Sequence, residues 1–292
     1  MTSVSKQAHR LNGRYQATQM AKRLFLTALI LFVALVFSVP LLWMLSTSLK
    51  VESQVYSYPI QWIPETFNWS NYDTVLFQQT PSFLTYYLNS FKVTLICVVG
   101  NLFTSALAAY GFARMRFRGR DQLFILYLCG MMIPFQVIMV PRFMMFRILG
   151  IYNTHMALIL PGLFTTVGVF LLRQSFLDIP FSLNESARID GAGEFRIFWQ
   201  IILPLAKPAL SGLAVLTFVW RWNDYEAPLI FITNPRLYTL PLGMTNFIEE
   251  TGNAKNTLVM AASVCGLLPV IAVFLSAQKY IIGGLTAGSV KG

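Results

Sequence analysis

Leu183-Asn184-Glu185-Ser186-Ala187-Arg188-Ile189-Asp190-Gly191-Ala192-Gly193-Glu194-Phe195-Arg196-Ile197-Phe198-Trp199-Gln200-Ile201-Ile202-Leu203-Pro204-Leu205-Ala206-Lys207-Pro208-Ala209 is a charged, glycine-hinged stretch between two apolar runs. Each of those runs is long enough to cross a bilayer. Just after Pro180, Ser182 and Glu185 have the spacing of a capping box, which predicts a helix start with two orphan N–H groups satisfied. Asp190-Gly191-Ala192-Gly193 is a poor helix interior, because glycine costs ~1 kcal/mol against alanine there, whereas Gly191 suits a left-handed helix-ending turn. A second helix is expected from Glu194, with Phe195, Phe198, Trp199 and Ile202 at helical spacing on one face. Pro204 and Pro208 set where it stops and where the next span begins. The expected product is a helix-turn-helix elbow; a surface loop with two short interfacial helices is the plainer alternative.

The rest of the chain is apolar. Of 292 residues, 55% are hydrophobic and 12% charged, and the mean hydropathy is +0.58, which excludes an ordinary soluble domain. The expected fold is all-α and polytopic, with six transmembrane helices over Leu24 to Leu45, Tyr86 to Phe112, Gln122 to Phe146, His155 to Leu177, Pro208 to Ile232 and Thr257 to Ile282. Each has the length needed to cross ~30 Å of hydrocarbon at about 1.5 Å per residue. The domain reading is a tail over 1–23, a six-helix domain over 24–282 that contains the elbow loop 178–207, and a tail over 283–292.

Orientation follows from lysine and arginine, which are retained in the cytoplasm. They cluster before the first span (Lys6, Arg10, Arg14, Lys22, Arg23), after the second (Arg114, Arg116, Arg118, Arg120) and around the elbow. Both termini and the elbow are therefore expected to be cytoplasmic, with the spans in contact with membrane lipid. The +10 net charge reports topology; with no soluble basic domain, it does not mark a nucleic-acid partner. The first apolar run is too long for a typical signal-peptide core and is read as an uncleaved helix. Ser46 to Thr85 reads as an ordered outer loop with interfacial aromatics Trp62, Phe67, Trp69 and Phe77. Cys97, Cys129 and Cys265 fall inside spans and read as small apolar residues. An odd cysteine count argues against a disulfide framework, and no Cys/His cluster suggests a metal.

No G-x-x-x-x-G-K-[ST] stretch occurs, so no loop here is spelled to cradle nucleotide phosphates. H-E-x-x-H, G-x-S-x-G and paired intramembrane aspartates are missing too, and no catalytic residue is assigned. A second function class is an ion-coupled secondary transporter or carrier, whose signature would be internal repeats. The two halves show no clear self-similarity.

Glu185-x-Ala187-x-x-Asp190-Gly191-Ala192, followed by Phe198, Ile201 and Leu203-Pro204, resembles the EAA loop of ABC importer membrane subunits. Ser186 stands where that family usually has alanine. The resemblance to the maltose type of carbohydrate importer permease extends over most of the chain. It is carried by Thr47-Ser48-Leu49-Lys50, Leu88-Asn89-Ser90, Ala108-Ala109-Tyr110-Gly111-Phe112-Ala113-Arg114, Met132-Ile133-Pro134-x-Gln136-Val137 and Trp222-Asn223-Asp224. The ending Gly284-Leu285-Thr286-Ala287-Gly288-Ser289-Val290-Lys291-Gly292 is similar to that of the shorter permease of the pair. The resemblance implies a paralogous permease subunit, two separate ATPase subunits holding ATP and magnesium, and an extracytoplasmic solute-binding protein that delivers an oligosaccharide. This chain itself would carry no cofactor and no metal. Glu185, Ser186, Ala187, Asp190, Gly191 and Ala192 would then dock on the ATPase, and Thr286, Ala287, Gly288 and Ser289 would reach between the two ATPases.

Arg221, Asn223, Asp224 and Glu226 lie near or beyond the middle of the fifth span, where a charge costs ~2.5–3.5 kcal/mol, and are expected to face the bundle interior. Arg221 and Asp224, at i and i+3, either neutralise each other or line a sugar path with Asn223. In the second case Trp220 and Trp222 would offer flat faces to pyranose rings. An unshielded Arg221 would attract an acidic, uronate oligosaccharide; because Asp224 and Glu226 can cancel it, a neutral oligosaccharide is favoured. Pro134 and Pro141 are expected to kink the third span.

Overall fold

The computed structural model describes residues 3–247 and 255–289, with side chains over 19–247 and 255–278. Every regular element among the described residues is helical. The chain runs α1 (Ser3–Ser48), α2 (Ser70–Phe77), α3 (Phe83–Arg114), α4 (Arg120–Cys129), α5 (Phe135–Ile148), α6 (Met156–Gly162), α7 (Thr166–Asp178) and α8 (Ser182–Ile189). It continues through α9 (Glu194–Ile197), a π turn (Phe198–Ile202), α10 (Leu203–Leu205), α11 (Lys207–Trp222), α12 (Glu226–Phe231), α13 (Leu240–Gly243) and α14 (Asn256–Ser289).

Among the described residues, four helices are long and apolar enough to cross a membrane, and the total rises to six if each of two bent pairs is one span. The breaks have local causes. Pro134 bars a helical conformation from Ile133, which is extended (φ −82°, ψ 114°), and the third span turns by 92° there. Pro141, expected to kink the same span, sits inside a continuous α5. The fourth span pauses between α6 and α7, where Thr165 is extended and Thr104 Oγ1 donates to the freed Leu163 carbonyl at 2.5 Å.

The fifth span departs most from expectation: its helix stops at Trp222 instead of running to Ile232. Asn223 Nδ2 donates back to Val219 O (2.8 Å), while Asp224 Oδ1 accepts from Ala227 N (3.2 Å) and starts α12. Short polar side chains here compete with the helical backbone. The 16 residues of α11 reach about 24 Å at 1.5 Å per residue, so this span is completed across a break.

α3 is the spine of the bundle. Its N-terminal end, with Phe83 and Tyr86, packs with Trp222, Leu240 and Ala261. Val93 and Cys97 lie in a middle cluster with Phe146 and Phe231, and Ala106 and Ala109 pack at the other end with Leu172, Phe176 and Ile202. Lipid tails are as apolar as leucine, so close packing holds these helices together. A Cβ on Gly168 would lie 2.6 Å from Ser105 Oγ and 3.1 Å from Leu213 Cδ2, so glycine sets how closely α7 approaches α3 and α11.

The loop between α1 and α3 is ordered, as expected. Lys50 is fully buried over the Trp43 ring, and Asn71 Nδ2 donates to Ser48 O (2.9 Å) and Lys50 O (2.8 Å). Glu52 accepts from Asn256 N and Thr257 N (both 3.0 Å) and so caps α14 from 200 residues away in sequence. Trp62, Phe67, Trp69 and Phe77 are exposed. In this chain taken alone, none of the apolar window of Gln19–Ser48 is buried. The last helix reaches Ser289, but the side chains of Thr286, Ala287, Gly288 and Ser289, and all of 290–292, lie outside the described residues.

Candidate functional site

The elbow folds as a helix, a glycine turn and a second helix. The capping box does not form, because α8 begins one residue earlier than its spacing implies. Phe181 occupies the cap position in a helical conformation, its carbonyl accepts from Asn184 N and Glu185 N, and Ser182 is already the first helical residue. Gly191 has φ +80°, as expected. Ala192 N donates to Ala187 O (2.9 Å) and Gly191 N to Arg188 O (3.0 Å), the paired bonds of a Schellman turn. Glu185, Ser186, Asp190 and Gly191 are exposed, Ala187 is buried and Ala192 is half-buried. Ile189, at 86% exposure, leaves an apolar side chain at the elbow tip.

The second helix does not keep its four apolar residues on one face. Phe198 and Ile202 are buried with Ile197, whereas Phe195 and Trp199 point outward and stack on each other at 6.3 Å and 8°. The π turn adds a residue to the helical repeat and so resets the face; such turns recur at functional sites.

Glu194, expected from the sequence only to open the second helix, joins the parts. Its carboxylate accepts from Tyr110 OH (2.7 Å) and Arg188 Nε (2.8 Å), with Arg188 Nη2 at 2.6 Å. One side chain thus ties both elbow helices to α3. The Tyr110 hydroxyl, together with Arg188, holds the Glu194 carboxyl below the usual glutamate range. A lowered folded pKa means that the lock is complete above the ordinary glutamate range and opens as pH falls through the lowered value. Glu194→Gln is therefore expected to speed amide exchange over 182–197 about five-fold at neutral pH, the scale of a part-exposed ionic hydrogen bond. The wild type should approach that rate only in strong acid; equal protection of both proteins at neutral pH would contradict the lock.

Above the elbow, Arg114 and Arg173 clasp the neighbouring ends of α3 and α7. Buried Arg114 donates through Nη2 to Phe176 O and to Ile179 O (2.6 Å), and Arg173 Nε donates to Phe112 O (3.3 Å). Each arginine satisfies terminal carbonyls of the other helix. The Phe181 ring, where the elbow begins, lies within 6 Å of the guanidiniums of Arg114, Arg116 and Arg188.

The second feature is a cavity of about 480 Å³ lined in part by Ile133, Phe135, Phe164, Thr165, Asp224 and Glu226. These residues border the breaks of the third, fourth and fifth spans, so all three breaks open onto one space. Irregular backbone at membrane depth is tolerated where it is buried in protein or lines a cavity. Arg221 and Asp224 line it as a pair 3.4 Å apart, the neutralisation weighed from the sequence. Asn223 faces a different pocket beside Gly266, and Trp220 is half-exposed and lines neither. Trp222 is 2% exposed, stacked on Phe218 and bonded through Nε1 to Gly266 O (2.9 Å), so it cannot offer a face to a sugar.

Residues 100–286, which include the elbow and the inner lining of this cavity, match the family described as the binding-protein-dependent transport system inner membrane component. The chain belongs to that family. Its helical architecture is that of a membrane permease, and membership decides against the carrier class weighed from the sequence. The arabinooligosaccharides transport system permease protein AraQ of Bacillus subtilis (strain 168) is 36% identical, over 92% of this chain and 96% of that one. The galactooligosaccharides transport system permease protein GanQ of the same organism is 34% identical, over 92% and 95%. A solved bacterial ABC transporter involved in the import of the acidic polysaccharide alginate contains a chain similar to this one at 27% identity and a TM-score of 0.77, covering 87% of this chain and 94% of that one.

For a permease of this family, several structural residues were recoverable from the sequence only as spelling. Tyr110 and Arg114 stand in the Ala108–Arg114 stretch, and Asn89 and Ser90 in Leu88-Asn89-Ser90. Their roles are visible in the fold: Asn89 Nδ2 donates to Arg236 O (2.9 Å) and Tyr238 O (3.0 Å), and Ser90 Oγ accepts from Leu240 N (2.6 Å). Arg173 carried no signal, because its partners Phe112 and Asp121 come from distant elements, and Arg142 carried none either.

Proposed function

We propose that this permease is one of two related membrane subunits of an ATP-driven importer, and that it forms with its sister the alternating-access path for an oligosaccharide. The solute is delivered by an extracytoplasmic binding protein, and ATP with magnesium is held and hydrolysed on two separate ATPase subunits. Both termini and the elbow face the cytoplasm. The tail over 283–292 follows the six-helix domain, and small residues at Thr286, Ala287, Gly288 and Ser289 suit a narrow crevice between the ATPases. The uncovered apolar length of Gln19–Ser48 suits a sister subunit and lipid.

The observation that carries the coupling role is the elbow: a pre-shaped helix with Glu185, Ser186, Asp190 and apolar Ile189 exposed, joined by Glu194 to the span that crosses the bundle. ATPase closure that pushes on α8 is passed through Glu194 to α3 as a near-rigid movement. Cargo among the relatives supports carbohydrate, since their names include arabino- and galactooligosaccharide systems and a neighbour imports acidic alginate. A tagged copy purified from its native membrane should bring down a second permease and an ATPase, and ATP turnover should require that ATPase. Robust turnover by this chain alone, or isolation without either partner, would end the reading.

A further inference from the structure

We infer that the cavity at the three span breaks is a subsite for an anionic sugar unit, a uronate, whose carboxylate is taken by Arg142. This deepens the importer reading and rests on it. The sequence weighs Arg221 as the cation of the path and cancels it against nearby acids. The fold carries out that cancellation and adds a second guanidinium from another span. Arg221 Nη1 is 3.4 Å from Asp224 Oδ2, Asp224 Oδ1 also accepts from Ala227 N, and Glu226 Oε1 accepts from Gln136 Nε2 at 3.0 Å. Asp224 is thus neutralised by Arg221, whereas Glu226 is held toward Gln136 by a neutral amide and keeps its charge.

Arg142, on α5 beyond the Pro134 break, lines the same cavity. Among the described residues it has no ion pair and no hydrogen bond; its guanidinium lies 5.5 Å over the Phe135 ring, which fixes its direction without neutralising it. A guanidinium that faces a cavity inside the helical bundle and makes no ion pair of its own is a candidate partner for an anionic ligand. A planar guanidinium matches a carboxylate in two parallel hydrogen bonds, which a hydroxyl cannot reproduce.

The surroundings agree. α5 and α7 both begin at this cavity, at Phe135 and Thr166, so the positive ends of two helix dipoles add to the field felt by an anion there. Thr165 and Thr166 add hydroxyls for the sugar ring. Gly162 keeps Arg221 and Cys97 in place beneath it: a Cβ there would be 3.4 Å from Arg221 Nε and 2.4 Å from Cys97 Sγ.

The test uses the assembled complex in nanodiscs without binding protein, with a tri-uronate and its fully methyl-esterified, uncharged form as probes. The wild type should bind the acid about ten-fold or more tightly than the ester. Arg142→Gln should remove that preference while ester affinity stays within about two-fold, and Arg142→Lys should keep part of it. Equal affinity of the wild type for acid and ester would overturn the anionic subsite and leave the oligosaccharide reading standing. Equal loss of both probes in Arg142→Gln and Arg142→Lys would make Arg142 a structural residue and also overturn the proposal. Failure of the wild type to bind either probe or any neutral oligosaccharide, with ATP turnover unmoved by all of them, would instead remove the oligosaccharide reading.

Discussion

Gly191→Pro is expected to abolish stimulation of ATP hydrolysis by loaded binding protein in the reconstituted complex, while the chain still inserts and assembles. Proline locks φ near −65°, whereas Gly191 has φ +80°, and its missing N–H is the one that donates to Arg188 O. It also pushes Asp190, now at φ −75° and ψ 6°, out of the helical region. The Schellman turn cannot survive, α8 loses its fixed angle to α9, and Glu194 no longer holds Arg188 and Tyr110 together. The strain amounts to ~3 kcal/mol or more, concentrated in a surface element outside the bundle core. A graded series makes the argument sharper. Nothing lies within 4 Å of a Cβ at Gly191, so alanine meets only the cost of its backbone conformation, ~1–2 kcal/mol, and asparagine less. Stimulation should therefore fall in the order glycine, asparagine, alanine, proline. Wild-type stimulation from the proline variant would show that the turn takes no part in coupling.

Arg114→Met is expected to give the largest loss of stability of any single change at the elbow end of the bundle. Arg114 is 3% exposed, and its guanidinium is the donor for two carbonyls at the end of α7. Methionine fills much of the volume but takes the donor from the half-buried Ile179 carbonyl and leaves the Phe176 carbonyl only its bond from Ile179 N, at ~3 kcal/mol for two charge-assisted bonds. Because α7 leads directly into α8, the loss should spread to the elbow. The measurement is the thermal midpoint of the detergent-purified complex, which should drop by several degrees, with Arg114→Lys falling between. An unchanged midpoint in Arg114→Met would mean that the α3–α7 clasp contributes nothing.

Some features were legible in the sequence because their causes are local. Gly191 needs only its own backbone to announce a left-handed turn, and Pro134 needs only the clash with Ile133 to announce a break. Arg221 and Asp224, three residues apart at the end of one helix, meet as their spacing predicts. Other readings failed where a neighbour overrode the local signal. Ser182 and Glu185 have capping spacing, but the turn from Pro180 to Phe181 starts the helix earlier and leaves the hydroxyl unused as a cap. Phe195, Phe198, Trp199 and Ile202 share a face only at 3.6 residues per turn, and the π turn abolishes that period where they lie. The fifth span reads as one apolar run to Ile232, yet Asn223 and Asp224 spend their side chains on the backbone and end the helix at Trp222.

The sequence by itself determined that this chain is a bundle of membrane helices interrupted by a polar elbow, because hydropathy and glycine or proline conformation are properties of each segment taken alone. Only the tertiary structure decided which arginines of the described residues meet partners from other helices. Arg114 and Arg173 are consumed by carbonyls on each other's helices, whereas Arg142 is left facing a cavity made by three separate breaks. Pairing of charges depends on distance in space, and residues from α3, α5, α7 and α11 acquire that distance only when the bundle closes.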